Sequence, residues 1–290
     1  MTVDVGHSGV WVGPGGWPDD GAAGDEAAAE LEELGYRTVW FGGSPGDLRR
    51  PERTLSATSR LVAATGIVNV WGDDPADVAA AFHRVNDAYP DRLLLGVGAG
   101  HATFVEQAGG TYRRPYSKVA EYLYGLDAAV RPVPAPARAV AALGPRTVAL
   151  AGERSAGAHP YLVNPEHTAT AREILGAGPL LAPEQKVVLE TDRDRARAIA
   201  TPALEFYLGL RNYVANLRRL GFTEDDVSGG GSERLFEALI AWGDEDSVVR
   251  RVREHRDAGA DHVCVQVLTG RTGPDSLPHE QWRRLAPALT

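Results

Sequence analysis

The chain has 290 residues, 43% of them hydrophobic and 24% charged, with a formal net charge of -9. That length is close to the ~250 residues of a parallel eight-stranded barrel with one or two insertions, and the hydrophobic content argues against disorder. The acidic balance and the lack of any basic stripe, basic residues only pairing locally as in Arg49-Arg50, Arg113-Arg114 and Arg218-Arg219, speak against a nucleic-acid partner. No window approaches ~18 uninterrupted apolar residues and no basic-then-apolar segment opens the sequence, so the expectation is a soluble, cytoplasmic protein with no membrane contact.

Read by period, short apolar runs alternate with Ala- and Leu-rich helices. Gly9 to Val12 is the first expected strand, followed by a Gly/Pro-rich loop and a helix from Asp25 to Leu34 that Gly35 is placed to stop. Thr38 to Phe41 is the second strand and Glu52 to Val62 the second helix. Thr65 to Trp71, the turn Gly72-Asp73-Asp74-Pro75, the helix Ala76 to Ala88 and the run Leu93 to His101 form a βαβ unit that carries strands three and four. Arg138 to Ala142 is the fifth strand with a helix Pro145 to Arg154, and Gly157 to Val163 is the sixth, with a helix Pro165 to Leu175. Gln185 to Glu190 reads as the seventh strand, and the pattern then stays helical from Arg193 to Leu220 and again from Glu233 to Ile240. A helix Asp246 to Ala258 leads into the eighth strand, Ala260 to Leu268. Eight strands alternating with helices predict one α/β domain over 1–290, a (β/α)8 TIM barrel with a helical insertion after strand seven.

Cys264, the single cysteine, sits in an apolar run and reads as a small buried hydrophobe. Lys118 and Lys186 are the only lysines, which argues against Schiff-base chemistry. In a parallel barrel the ligand face lies at the C-terminal strand ends. That rule keeps 40–44, 69–73, 98–101, 143–144, 161–164 and 190–191, and it places His7 on the opposite rim as a surface residue. Leu143-Gly144-Pro145 joins a strand end to a helix start, where free amides and the helix dipole favour a phosphate; an ordinary strand-to-helix turn has the same pattern. Gly96-Val97-Gly98-Ala99-Gly100 lets backbone approach a ligand but has neither Walker nor dinucleotide spacing.

Taken together, Ala64 to Trp71, Asp74-Pro75, Arg92 to Gly98 with His101, Ala28 to Tyr36, Ala141 to Arg146, Gly157 to Val163 and Glu184 to Glu190 resemble the luciferase-like monooxygenase superfamily. More closely they resemble its actinobacterial branch of oxidoreductases dependent on the deazaflavin coenzyme F420. The resemblance implies a TIM barrel with the deazaflavin ring across its C-terminal mouth and a cis peptide at Gly66-Ile67 bulging toward the ring. It implies that Asn69 bonds the ring edge and that amides around Gly98, Ala99, Gly100, Leu143 and Gly144 hold the ribityl chain and phosphate. Where characterised relatives carry an acidic residue and a histidine base at the second strand end, this chain has Phe41-Gly42-Gly43-Ser44, so the usual base is missing. Gly42 and Gly43 there would let ring or substrate approach closely.

His101, directly after the fourth strand, is the first choice to balance the proton that accompanies hydride transfer. His159 and Tyr161 share a face of the sixth strand; His159 reads equally as a ligand contact or a satisfied interior histidine. Glu190 ends the seventh strand as a third catalytic candidate, or as a cap or ion-pair partner of Arg193. No metal-site spacing is present. The sequence-based reading is therefore an F420-dependent oxidoreductase acting on a small organic substrate, with a homodimer as the assembly it allows. The alternatives are an FMN-dependent monooxygenase on the same barrel and, from another class, a non-catalytic deazaflavin-binding protein. An isomerase or aldolase is disfavoured by the scarcity of lysine and the lack of a carboxylate–histidine pair.

Overall fold

In chain order the computed structural model contains β1 (Ser8–Val12), α1 (Gly21–Glu33), β2 (Thr38–Ser44), α2 (Arg49–Ser56), β3 (Val62–Asn69), α3 (Pro75–Ala88) and β4 (Leu93–Gly98). There follow α4 (Ala102–Gln107), α5 (Pro115–Ala128), β5 (Arg138–Ala141), α6 (Pro145–Arg154), β6 (Gly157–His159), α7 (Pro165–Leu175), β7 (Leu180–Leu181) and β8 (Glu184–Val188). The chain ends with α8 (Arg193–Leu208), α9 (Arg211–Arg219), α10 (Glu224–Val227), α11 (Glu233–Leu239), β9 (Ile240–Trp242), α12 (Glu245–Asp257), β10 (Val263–Val267) and α13 (His279–Leu289). The described residues are 3–18, 21–271, 273 and 276–290.

The strands form one ten-stranded sheet in the order β7-β6-β5-β4-β3-β2-β1-β10-β8-β9, and every pairing is parallel. β1 and β4 are buried along their whole length, as expected of parallel strands covered on both faces. The sheet curls until its two sides meet on the run 180–188. Leu180, Ala182 and Glu184 donate amide hydrogens to Ala156, Ala158 and Pro160 beside β6, while the carbonyls of Leu181 and Pro183 accept from Asp261 and Cys264 beside β10. Pro183 has no amide hydrogen to give, so one strand position is divided into β7 and β8. Helix starts follow capping chemistry: the side chains of Asp74, Asn164 and Asp192 accept amide hydrogens at the first turns of α3, α7 and α8.

The alternation is as expected, but several boundaries move. The second helix ends at Ser56, because Val62 already opens β3. The sixth strand stops at His159; Pro160 follows it, and Leu162 has a φ of 54°, a left-handed conformation that ends strand geometry. The long helix after strand seven breaks into α8 and α9, and Ile240 begins a strand, β9, on the outer side of β8. The eighth expected strand starts at Val263. His7 is exposed and Cys264 fully buried, as read from sequence.

Candidate functional site at the strand ends

A cavity of about 760 Å³ opens at the C-terminal ends of the strands. Its floor is made by Trp11 of β1, Gly66 and Ile67 of β3, and His159 of β6, with Tyr161 just beyond. The peptide between Gly66 and Ile67 is cis. Here β3 and β4 lose register between Ala64 and Val68, which turns the backbone toward the cavity. One wall carries Asn69, Ala99, Gly100 and His101; another carries Leu143, Gly144 and Thr147 at the start of α6; α8 and α9 close the top with Phe206, Tyr207, Tyr213 and Arg219.

Of the residues selected from sequence, Gly43, Gly66, Ile67, Asn69, Ala99, Gly100, His101, Leu143, Gly144, His159 and Tyr161 line this one cavity. Three do not. A Cβ on Gly42 would stand 2.4 Å from the Trp11 ring, so Gly42 makes room for that indole rather than for a ligand. A Cβ on Gly98 would stand 2.9 Å from Ala141 Cβ and 3.3 Å from Ile67, so Gly98 lets β3 and β5 close on β4. Glu190 lies outside the cavity, where it accepts from the Asp192 amide and pairs with Arg195 at 2.9 Å; the partner is Arg195 and not Arg193.

Three buried polar atoms at the cavity have no partner among the described residues: Trp11 Nε1, His101 Nδ1 and His159 Nε2. His159 Nδ1 donates to the Ala182 carbonyl at 2.7 Å, which fixes the tautomer and leaves Nε2 as a bare acceptor. Burial lowers the His159 pKa to about 4, and its ring stacks on Trp40 at 4.2 Å. Trp40 in turn donates to His262 Nε2 at 3.0 Å. A Cβ on Gly66 would meet Trp11 Nε1 at 2.7 Å and His159 Nε2 at 3.5 Å, so a donor and an acceptor converge over this glycine. His101 precedes α4, and burial among Phe104, Tyr207 and Tyr213 lowers its pKa below the ordinary imidazole value. Asn69 Oδ1 accepts from the Trp71 amide at 3.1 Å, and Gly100, at a φ of 58°, leaves room for its side-chain amide.

At the far end, Gly144 opens α6 with Pro145 in its first turn and no acidic residue there. Arg219 Nη2 would lie 3.6 Å from a Cβ on Gly144, and Arg146 sits 4.4 Å over the Tyr116 ring. Cation, dipole and absent side chain suit an anionic group at this end. Arg113 and Arg114 are exposed between the lining residues Tyr112 and Pro115. The orphaned atoms, the glycine floor and this anion-suited end fit a flat heterocycle bearing a phosphate chain. Among the described residues, no group of three or more His, Cys, Asp or Glu is placed to hold a metal, and no helix is long and apolar enough to cross a membrane.

Sequence reasoning missed Trp11, Tyr207, Tyr213, Arg219 and the buried pair Glu184–Lys186. The pair had a signal: two opposite charges two positions apart in an apolar strand lie on one face. Trp11 had one too, a bulky residue on the strand next to the one that carries Gly42.

The chain belongs to the luciferase-like monooxygenase family, whose model matches residues 2–262. A 5,10-methylenetetrahydromethanopterin reductase of Archaeoglobus fulgidus is 24% identical over 269 residues, 75% of this chain and 79% of that protein. A Mycobacterium tuberculosis protein named provisionally as a coenzyme F420-dependent oxidoreductase is 25% identical over 313 residues, 84% of this chain and 89% of the relative. Among solved structures, an F420-dependent secondary alcohol dehydrogenase in complex with an F420–acetone adduct superposes with a TM-score of 0.74 at 16% identity, covering 100% of both chains. The FMN-bound oxygenating constituent of 3,6-diketocamphane monooxygenase from Pseudomonas putida gives 0.65 at 15% identity, covering 99% and 97%.

Proposed function

We propose that this protein is a cytoplasmic oxidoreductase that uses coenzyme F420 to exchange hydride with a small organic substrate. We read its sheet as a (β/α)8 barrel with 193–239 inserted after the seventh strand position, over a single domain. The observation that carries the functional reading is that three partnerless polar atoms face one cavity, Trp11 Nε1 and His159 Nε2 over the Gly66-Ile67 bulge and His101 Nδ1 on the wall. The deazaflavin, when bound, supplies a carbon centre that carries or accepts hydride.

The chain's own residues bind, orient and exclude water. Gly66, Ile67 and Asn69 would support the ring, with Trp11 Nε1 donating to it and His159 Nε2 accepting from it. The backbone at Ala99, Gly100, Leu143 and Gly144, with Thr147 and Arg219, would hold the ribityl phosphate, and Arg113-Arg114 the acidic tail. His101 presents Nδ1 to the reacting oxygen of the substrate and shares the proton there. The aromatic residues of α8 and α9 keep water from the reacting atoms. A homodimer is compatible with this reading.

The test is addition of F420 or FMN to apo-protein with cofactor fluorescence followed. Quenching by micromolar protein for F420 and none for FMN is the expected result. Tight FMN binding with oxygen consumption would replace the reading with a monooxygenase, and tight F420 binding without turnover on any acceptor would leave a carrier protein.

A further inference from the structure

Behind the cavity wall, five polar side chains, of which Glu184, Lys186 and Tyr161 are buried and Gln266 and Tyr207 half-buried, join into one chain that ends in the cavity. Lys186 Nζ donates to Glu184 Oε1 at 3.1 Å, to Gln266 Oε1 at 2.9 Å and to the Tyr161 hydroxyl at 2.7 Å, which uses every hydrogen of an ammonium group. The side chains of Lys186 and Glu184 are 1% and 0% exposed, and Glu184 Oε2 accepts the Leu162 amide hydrogen at 3.1 Å. Beyond the lysine, the Tyr161 hydroxyl lies 2.7 Å from Gln266 Oε1 and 2.7 Å from the Tyr207 hydroxyl. Tyr161 and Tyr207 both line the cavity.

Two hydrogen patterns satisfy the same oxygens. In one, Tyr161 donates to Gln266 and receives from Tyr207. In the other, Tyr161 donates to Tyr207, and the Tyr207 hydrogen is free for a ligand. Interchange between two such patterns is what a proton path requires. Burying an ion pair is unfavourable in itself, so the pair has no evident value as a stabilising element. Burial lowers the Lys186 pKa and raises that of Glu184, each opposed by contact with the other. The other titratable groups facing the chain are Tyr213, His101 and Cys264.

We propose that Tyr207 is a catalytic residue that delivers the substrate's proton, and that the Glu184–Lys186 pair, acting through Tyr161, is the positioning group that supplies it. The inference rests on the hydride-transfer reading. In the reductive direction a carbonyl-type carbon takes hydride from the reduced deazaflavin. The Tyr207 O–H bond breaks as the substrate O–H bond forms. Tyr207 regains a proton from Tyr161 and Tyr161 from Lys186, which is left a neutral amine until solvent reprotonates it. Oxidation runs the same path backwards. His101, whose ring lies 6.4 Å from that of Tyr207 and 5.6 Å from that of buried Tyr213, would meet the same oxygen from the other side, and its Nδ1 has no partner among the described residues to relay a proton.

The sequence contains only two lysines, Lys118 and Lys186, so lysine-selective 15N labelling gives one Nζ signal for Lys186 and one internal reference. Without any cofactor, Tyr207→Phe is expected to move the Lys186 titration midpoint by ~0.5 unit or more. The same change in a Tyr161→Phe background should have no effect. An unmoved midpoint in Tyr207→Phe, or an equal shift in both backgrounds, overturns the path. With reduced F420 and cyclohexanone in stopped flow, Tyr207→Phe should slow hydride transfer ~100-fold while F420 quenching stays within about twofold. An unchanged rate overturns the assignment. The double variant Glu184→Gln/Lys186→Met leaves no unpaired buried charge. It should lower kcat at constant KM and flatten the pH profile, and an unaltered profile overturns the role of the pair. If the parent protein fails to bind F420, the hydride reading falls, while the lysine titration still judges the path.

Discussion

His159 and His255 are both buried and neutral, yet they sit in opposite circumstances. His255, on α12, has both ring nitrogens engaged: Thr168 donates to Nδ1 at 2.8 Å and Nε2 donates to Gln185 at 2.9 Å. His159 engages one nitrogen only and turns the other, bare, into the cavity. Burial lowers both, to about 3 for His255 and about 4 for His159, so their pKa directions do not distinguish them. What separates these two is the hydrogen-bond inventory together with where the free nitrogen faces: His167 also bonds through one nitrogen only, to the Leu143 carbonyl at 2.9 Å, and leaves Nδ1 without a partner among the described residues, but it does not line the cavity.

The largest expected effect that sharpens this contrast is on stability. His255→Phe strands the Gln185 amide oxygen in the core and leaves the Thr168 hydroxyl only the long 3.5 Å bond to the Asn164 carbonyl, at a cost of ~2–4 kcal/mol in urea unfolding. His159→Phe keeps a ring against Trp40 and strands only the Ala182 carbonyl, so ~1–2 kcal/mol is expected, together with weakened F420 binding. Equal losses of stability with unchanged cofactor affinity would break the contrast.

His101, the other cavity-lining histidine with a partnerless nitrogen, is tested through the reaction. His101→Asn keeps a polar side chain but removes the titrating ring, so hydride transfer should fall ~100-fold with cofactor affinity held. Parent-like turnover across the pH range would show that this ring does not share the proton.

Acid should erode the buried neutral histidines together. His255, His159 and His262, the last lowered to about 4, have folded pKa values below the ordinary imidazole value. The stability they carry is therefore complete above ~6.5 and is lost as pH falls through about 4 and then about 3. Urea midpoints measured between pH 7.5 and 4 should decline, and His255→Gln should flatten part of that slope. The smallest effect is at the rim: Arg113→Glu/Arg114→Glu should weaken F420 binding ~10-fold at low salt and little at high salt, because screening mutes exposed charges. An affinity independent of salt in both proteins would remove these arginines from the site.

Much of this arrangement was legible in the chain. The strand rhythm located every strand end that lines the cavity except that of β1, and the family pattern pointed to the Gly66-Ile67 bulge. What escaped depends on contacts between distant segments. Tyr207 and Tyr213 stand on either side of the break between α8 and α9, so no single helical period marks them as one face. Gly42 and Gly98 were correctly seen as places of close approach, but the approaching groups are Trp11 and the neighbouring strands, which sequence alone does not order. Glu190 sat at a strand end of the right kind, yet a helix start two residues on captured it, an interaction of only ~0.3–1 kcal/mol that position alone does not reveal.

The pairing of β1 with β10 joins residues such as Ser8 and Val263. During synthesis at ~5–20 residues per second, the first strand therefore waits roughly 13–50 s for its neighbour. Until then Val10, buried in the finished protein, belongs to an open edge, the kind of surface that recruits other chains. Efficient production of this protein should depend on what shields that edge on the ribosome as much as on the stability of the finished fold.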